Sequence, residues 1–167
     1  AQEPAAQSAL TMVVMDPLAA PLACPCVKGY AQRRYDLLAE LLQKQLGRRV
    51  NVVFSEDLAR ALRGEAQGKV DLIIGKRSLV EFDAAACRLK IQPMAMLMGK
   101  DGLTTLTGLF VVPAADPSRS LADLKGYRII LGPPESAEKH AAAIAALRKA
   151  GVPLPAEVET APGCTEG

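Results

Sequence analysis

The sequence predicts an α/β protein in which mostly parallel strands form sheets with helices on both faces. Segments with the composition of strands alternate along the chain with segments of helical periodicity, which is typical of βαβ units. Several strand segments are nearly continuous apolar runs, as in parallel strands that are buried on both faces. Half of the 167 residues are hydrophobic and 23% are charged, an ordinary globular composition that argues against disorder.

The first half of the chain contains three predicted strands and three predicted helices. The strands cover residues 10–15, 49–54 and 70–74, and the helices cover residues 29–46, 55–63 and 78–86. Gly47 follows the longest helix at the position where a left-handed residue ends a helix. Ser55 is expected to cap the second helix, with Glu56 and Asp57 in its first turn.

The second half repeats this alternation. The predicted strands cover residues 91–98 and 127–131, with a short one at residues 158–160, and residues 106–112 are predicted as an extended apolar segment. The predicted helices are a short one at residues 120–126, with a glycine stop, and a long one at residues 136–150. Met94, Met96 and Met98 alternate as in a half-buried strand, which predicts core packing rather than a row of copper ligands. The Pro-containing link at residues 113–118 divides the chain into a first lobe, residues 1–112, and part of a second, residues 113–167.

Charge and motifs exclude several function classes. The net charge is +2, no basic run exceeds a pair such as Arg33-Arg34, and there is no Trp, which argues against a nucleic-acid partner. No stretch approaches the roughly 20 apolar residues of a membrane span. Nucleotide-binding and zinc-protease motifs are absent, and a Cys–His pair with His140 would lack an orienting third group. We therefore do not expect an enzyme.

The two ends of the sequence suggest expectations about export and completeness. Residues 1–7 resemble the small, polar residues that follow a removed signal peptide, which favours an exported protein over an arbitrary boundary. Residues 161–167 end on a turn of the kind that opens another helix. We therefore expect the chain to stop short of a complete fold.

Candidate ligand-binding residues follow the predicted strands. In open parallel sheets ligands bind beyond the carboxyl ends of the strands, where helix N-termini converge. The residues at these positions are Asp16, Cys24, Cys26, Lys28, Tyr30, Gly75, Lys76, Arg77, Ser78, Lys100, Asp101, Thr104, Thr105, Ser136, Lys139 and His140. Hydroxyls and main-chain amides beside Lys and Arg suit an anion. The alternative is that Ser78 and Ser136 only cap helices and that the basic residues are solvated.

A resemblance to a known family is carried by residues 120–132, Ser-Leu-Ala-Asp-Leu-Lys-Gly-Tyr-Arg-Ile-Ile-Leu-Gly, followed by a Ser-containing helix start and a helix stop at Ala150-Gly151. Together they resemble the second lobe of type II periplasmic solute-binding proteins of the phosphate/phosphonate type, which have a transferrin-like fold. The first half agrees, with a strand, a long helix, and residues 70–75 as a third strand. Residues 108–112 would cross into the second lobe.

The resemblance implies two α/β lobes that close on hinge strands over a small ligand, an oxyanion such as phosphate or phosphonate. It implies no catalysis and no cofactor, and its partners would be the ligand, a membrane transporter or a second chain that completes the fold. By position, the family's ligand-binding groups correspond to Tyr30, Ser78, Thr104, Thr105, Ser136 and His140. From this resemblance we expect the half that completes the second lobe to be missing.

Cys24-Pro25-Cys26 departs from the family pattern, because an oxyanion site needs no thiols. Cys24 and Cys26 are too close for an unstrained mutual disulfide. Three alternatives stay open: a disulfide from Cys164 to Cys24 or Cys26, a copper or zinc site, or free thiols. If the resemblance holds, closure brings Cys24, Cys26, Cys164 and His140 together as metal ligands. Cys87 is expected to be free.

Overall fold

The computed structural model describes residues 8–25, 28–29, 32–105 and 107–161. The chain divides into two compact units, residues 1–91 and 92–167. The lobe boundary predicted at residue 112 lies inside the second unit. Among the described residues, no helix has the length and apolarity needed to cross a bilayer.

The first unit is built around a three-stranded parallel sheet. Its elements in chain order are β1 (Leu10–Val14), α1 (Tyr35–Leu46), β2 (Val50–Phe54), α2 (Leu58–Arg63), β3 (Leu72–Ile74) and α3 (Arg77–Ala86). The strand order is β2-β1-β3, and β1 pairs in parallel with both neighbours. The predicted parallel α/β architecture is therefore confirmed.

Both faces of this sheet are covered, and β1 supplies side chains to both cores. Val13 and Met15 pack on one face with Leu58 of α2 and Ala84 of α3. Met12 and Val14 pack on the opposite face with Tyr35 and Ala39 of α1. Because successive side chains of a strand point to opposite faces, a strand covered on both sides needs an apolar residue at every position. This explains the continuous run that predicted β1.

Two helix starts differ from the prediction. Helix α1 begins at Tyr35 rather than at Gly29, because the main chain of Arg33 instead bonds to Leu18 and Ala20. The end of α1 is as predicted, with Gly47 at a φ of 61°. Helix α2 is capped by Asp57, whose carboxylate accepts from the Arg60 N–H, and not by Ser55. The Ser55 hydroxyl donates to the Asp57 carbonyl instead.

The second unit has fewer regular elements. A 3-10 helix (Leu121–Asp123) is followed by β4 (Ile130–Leu131), α4 (Ala141–Lys149) and β5 (Glu159–Thr160), and β4 pairs in parallel with β5. Gly126 has a φ of 57°, which a glycine tolerates best. Helix α4 starts later than predicted, because residues 137–140 form turns.

The predicted strand at residues 91–98 is wrong, and so is the core position of its methionines. Residues 91–112, here called the apolar segment, contain no strand in their described part. Met94, Met96 and Met98 are 84%, 76% and 66% exposed. Alternation gives a strand one apolar face, but a neighbouring strand and a covering layer are needed to bury it.

Candidate functional site

The loop after β4 folds back on itself through main-chain hydrogen bonds. The Ser136 N–H donates to the Pro133 carbonyl over 2.9 Å, and the His140 N–H donates to the Ser136 carbonyl over 2.9 Å. Gly132 donates to the Lys139 carbonyl over 3.2 Å and closes the loop. A Cβ at Gly132 would lie 2.5 Å from the Lys139 Cβ, so only glycine permits this approach. Ser136 and His140 are thereby held at the carboxyl end of β4.

The Ser136 hydroxyl is the most unusual polar group of this loop. Ser136 is only 3% exposed, and its Oγ has no hydrogen-bond partner among the described residues. A buried hydroxyl without a partner costs about 1–3 kcal/mol, so its retention calls for an explanation. Capping does not supply one, because the N-cap position of α4 is His140 and Ser136 accepts no cap hydrogen bond. The alternative that Ser136 only caps the helix is wrong.

His140 lies half-buried at the start of α4. Its Nδ1 is 2.9 Å from the Gly132 carbonyl oxygen. A carbonyl oxygen only accepts, so Nδ1 carries the proton in this contact. Nε2 is then an acceptor in the neutral ring and a donor in the imidazolium, so only the imidazolium donates from Nε2 to an oxyanion.

In the first unit, the carboxyl ends of β1 and β3 come into close contact. A Cβ at Gly75 would lie 3.1 Å from the Met15 Cβ and 3.0 Å from Val80 Cγ2, so the glycine allows the two chain segments to approach. Ser78 follows as the second residue of α3 and is half-buried. Since the chain crosses from β1 to β2 and then back to β3, this edge is the topological switch point of the sheet.

A buried carboxylate lies at the same edge. Asp16 is buried and accepts from the Leu18 N–H at 3.0 Å, from Arg33 Nη1 at 2.9 Å and from the Tyr35 hydroxyl. Burial, followed by the hydrogen bond to Asp16, raises the pKa of Tyr35 to about 12. The sequence indicates Asp16 as a candidate because it follows a predicted strand, whereas Arg33 stands out only as half of a basic pair. The contact joins residues 17 positions apart, and no periodicity indicates such a pair.

The other predicted ligand-binding residues are less closely associated. Thr104 and Thr105 are exposed and lie in the apolar segment, outside any helix or strand. Tyr30 lies outside the described residues. Of the predicted set, the structure brings together Ser136 and His140 within one unit.

The cysteines are only partly described. Cys87 is free, as expected, and Cys24 is disulfide-bonded. Cys26 and Cys164 lie outside the described residues, so the predicted pairing stays a prediction. The described part of the chain contains no group of three His, Cys, Asp or Glu side chains that would hold a metal. Because Cys26 and Cys164 lie outside this part, the metal site predicted from Cys24, Cys26, Cys164 and His140 remains a prediction.

Comparison with known proteins gives one match. Residues 29–161 match the family model described as the phosphonate ABC transporter periplasmic substrate-binding protein. No curated protein and no solved structure matches the chain. The matched range includes Arg33, the end of β3 and the loop after β4, whereas β1 and Asp16 lie before it.

Proposed function

Because the chain belongs to the family of periplasmic substrate-binding proteins of phosphonate ABC transporters, we propose that it binds a small oxyanion such as phosphate or an alkylphosphonate. The family implies an exported protein, a small-molecule ligand and a membrane transporter as partner. Binding by closure of two lobes on a hinge requires no chemical step, so the proposal includes no catalysis. It agrees with the absence of enzyme motifs from the sequence.

The observation that carries the proposal is the unpartnered hydroxyl of Ser136. A ligand oxygen that accepts from this hydroxyl would offset the free-energy cost of burying the hydroxyl without a partner. The group stands four residues before the N-cap of α4, and the N-terminal end of a helix dipole favours a negative charge. His140 adds its Nε2, since its Nδ1 is already hydrogen-bonded to the Gly132 carbonyl. The hydroxyl of Ser136 and the imidazolium form of His140 can both donate to the oxygens of a phosphonate.

The first unit has candidate ligand-binding residues of its own. The family resemblance assigned Tyr30 and Ser78 of this unit to the ligand, and Ser78 is the second residue of α3. Tyr30, Thr104 and Thr105 belong to the same proposal and carry less weight, because no described contact supports them.

The test is the variant Ser136→Ala, measured by calorimetric titration with methylphosphonate, inorganic phosphate and sulfate. A hydrogen bond to a charged group is worth about 1.5–3 kcal/mol, so the affinity for the preferred oxyanion should fall at least roughly tenfold. The folded state should be unchanged or more stable by about 1 kcal/mol, because the variant removes a buried hydroxyl without a partner.

Ser120→Ala is the matched control. Its hydroxyl is exposed and bonded to Asp123 in a capping box, so its loss should cost stability and leave ligand affinity unchanged. If the unsubstituted protein binds none of the three oxyanions, the proposed function is wrong. If it binds one and Ser136→Ala binds that ligand equally well, Ser136 is not part of the site.

A further inference from the structure

We propose that Arg33 binds the anionic ligand in the first unit and that Asp16 is the residue that positions it. This inference rests on the proposed function and extends it to a residue that neither the family resemblance nor the sequence motifs indicate. It gives the site a fixed positive charge, whereas the residues predicted from the family supply only hydroxyls and one imidazole.

The position of Arg33 supports this role. Its Nη1 is 2.9 Å from Asp16 Oδ2, and Asp16 follows the central strand β1 by two residues. Met15, the preceding residue, touches Gly75 at the end of β3. The guanidinium therefore lies at the carboxyl edge of the central strand, beside the switch point where open parallel sheets bind ligands.

Three hydrogen bonds hold Arg33 in place. Its N–H donates to the Leu18 carbonyl over 2.6 Å, and its carbonyl accepts from the Ala20 N–H over 2.9 Å. Its side chain is fixed by the buried carboxylate of Asp16. A guanidinium that is oriented before the ligand arrives loses less conformational entropy on binding.

The guanidinium retains donors for a ligand. An arginine has five N–H donors, and among the described residues only Asp16 and Tyr35 accept from this one. The side chain is 41% exposed and therefore accessible from solvent. The planar fork of an arginine matches two oxygens of a phosphate or phosphonate, which favours this ligand class over a monoatomic anion.

A purely structural ion pair is the alternative to a ligand-binding role. Asp16 accepts from the Leu18 N–H and from the Tyr35 hydroxyl as well as from Arg33, so the guanidinium is one of three donors to this buried carboxylate. Arg34, the next residue, shows the ordinary case, since it pairs with Asp36 and both side chains are largely exposed. Such a surface pair contributes little to stability.

The experiment compares Arg33→Gln with the matched control Arg34→Gln, which removes the same charge one residue away. The affinities for methylphosphonate and inorganic phosphate are measured by calorimetric titration, and folding is followed by thermal unfolding. Arg33→Gln should weaken binding at least roughly tenfold. Arg34→Gln should stay within about twofold of the unsubstituted protein, because its partner lies on the exposed surface of α1.

The role of Asp16 is tested by a double-mutant cycle. Asp16→Asn should weaken binding in the presence of Arg33 and have a smaller effect on binding in the Arg33→Gln background, because a positioning residue acts through the group that it orients. A structural role alone would couple the two substitutions in thermal stability, because the side chains form an ion pair, without coupling them in affinity.

The outcomes separate this inference from the proposed function. If the protein binds an oxyanion and Arg33→Gln binds it equally well, Arg33 is not a ligand residue and the proposed function stands. If the protein binds no oxyanion, both are wrong. If Arg33→Gln fails to fold, Arg33→Lys decides. This variant keeps the charge and loses the fork, so weaker binding by the folded protein supports the inference and unchanged binding overturns it.

Discussion

Tyr35 links the core of the first unit to its candidate site. Its ring packs with Met12, Val14 and Ala39 beneath the sheet, while its hydroxyl reaches Asp16 at the carboxyl edge. The ring therefore anchors the carboxylate that holds Arg33. A tyrosine suits this position because it combines a large apolar surface with one terminal donor.

The raised pKa of Tyr35 predicts an effect of alkaline pH on stability. The pKa of Tyr35 is about 12 in the folded protein against an ordinary value of 10.0, so the folded state holds the proton more tightly. The resulting stability is fully present below pH 10 and is lost as the pH rises towards 12. In Tyr35→Phe this loss should be absent. Urea unfolding between pH 9 and 12 measures it, and equal alkaline slopes in both proteins would contradict it.

A second readout checks the same group without unfolding the protein. The chain contains three tyrosines. Absorbance titration of their phenols should show one that ionises about two pH units above its ordinary value, and Tyr35→Phe should remove that step. Tyr127→Phe is the control, because its hydroxyl donates to the Pro153 carbonyl near the surface.

At the scale of elements, two nearby polar residues at the start of α2 have different structural roles. Asp57 caps the helix through its carboxylate, and the buried Ser55 holds the turn that precedes it. Both residues are common at N-caps, so composition does not distinguish them. The choice depends on the backbone, since Asp57 has the extended conformation of a cap, with φ −133° and ψ 123°.

The cap of α2 gives a test at this scale. Asp57→Ala should lower the free energy of unfolding by about 1 kcal/mol, since it removes the acceptor for the Arg60 N–H. Asp57→Ser should retain most of the stability. Glu56→Ala, at the exposed neighbouring residue, should change it little. Chemical denaturation measures all three, and an Asp57→Ala protein as stable as Glu56→Ala would refute the assignment of the cap.

At the scale of the whole molecule, the apolar segment is the outstanding surface feature. Leu109 and Val111 are 82% and 87% exposed, and the segment contains several further exposed apolar side chains. Contiguous exposed apolar surface favours association with another chain. The second chain that the sequence analysis named as a partner completing the fold remains a prediction.

The exposed segment predicts self-association of the purified 167-residue chain. Light scattering should show a mass that rises with protein concentration, and the double variant Leu109→Lys/Val111→Lys should reduce the rise, because the added charges must be desolvated on contact. Leu41→Lys on α1 is the control, since Leu41 is 53% exposed outside the segment. A concentration-independent monomer would contradict the prediction.

The sequence by itself determined the parallel α/β class, the strands β1 and β2, the end of α1 at Gly47 and the family. These features depend on local composition, on side-chain period, or on residues adjacent in sequence, such as those at 120–132. It also indicated Ser136 and His140 as candidate ligand-binding residues, because a strand end followed by a helix start is visible in the sequence itself.

Only the tertiary structure decided how far the other elements extend and which polar groups meet. The helix predicted from Gly29 starts at Tyr35 because Arg33 bonds to a loop 15 positions away, from Leu18 onward. The methionines at residues 94–98 are exposed because burial depends on a neighbouring layer. The unpartnered Ser136 hydroxyl and the Arg33–Asp16 pair depend on contacts between distant residues, which no local pattern records.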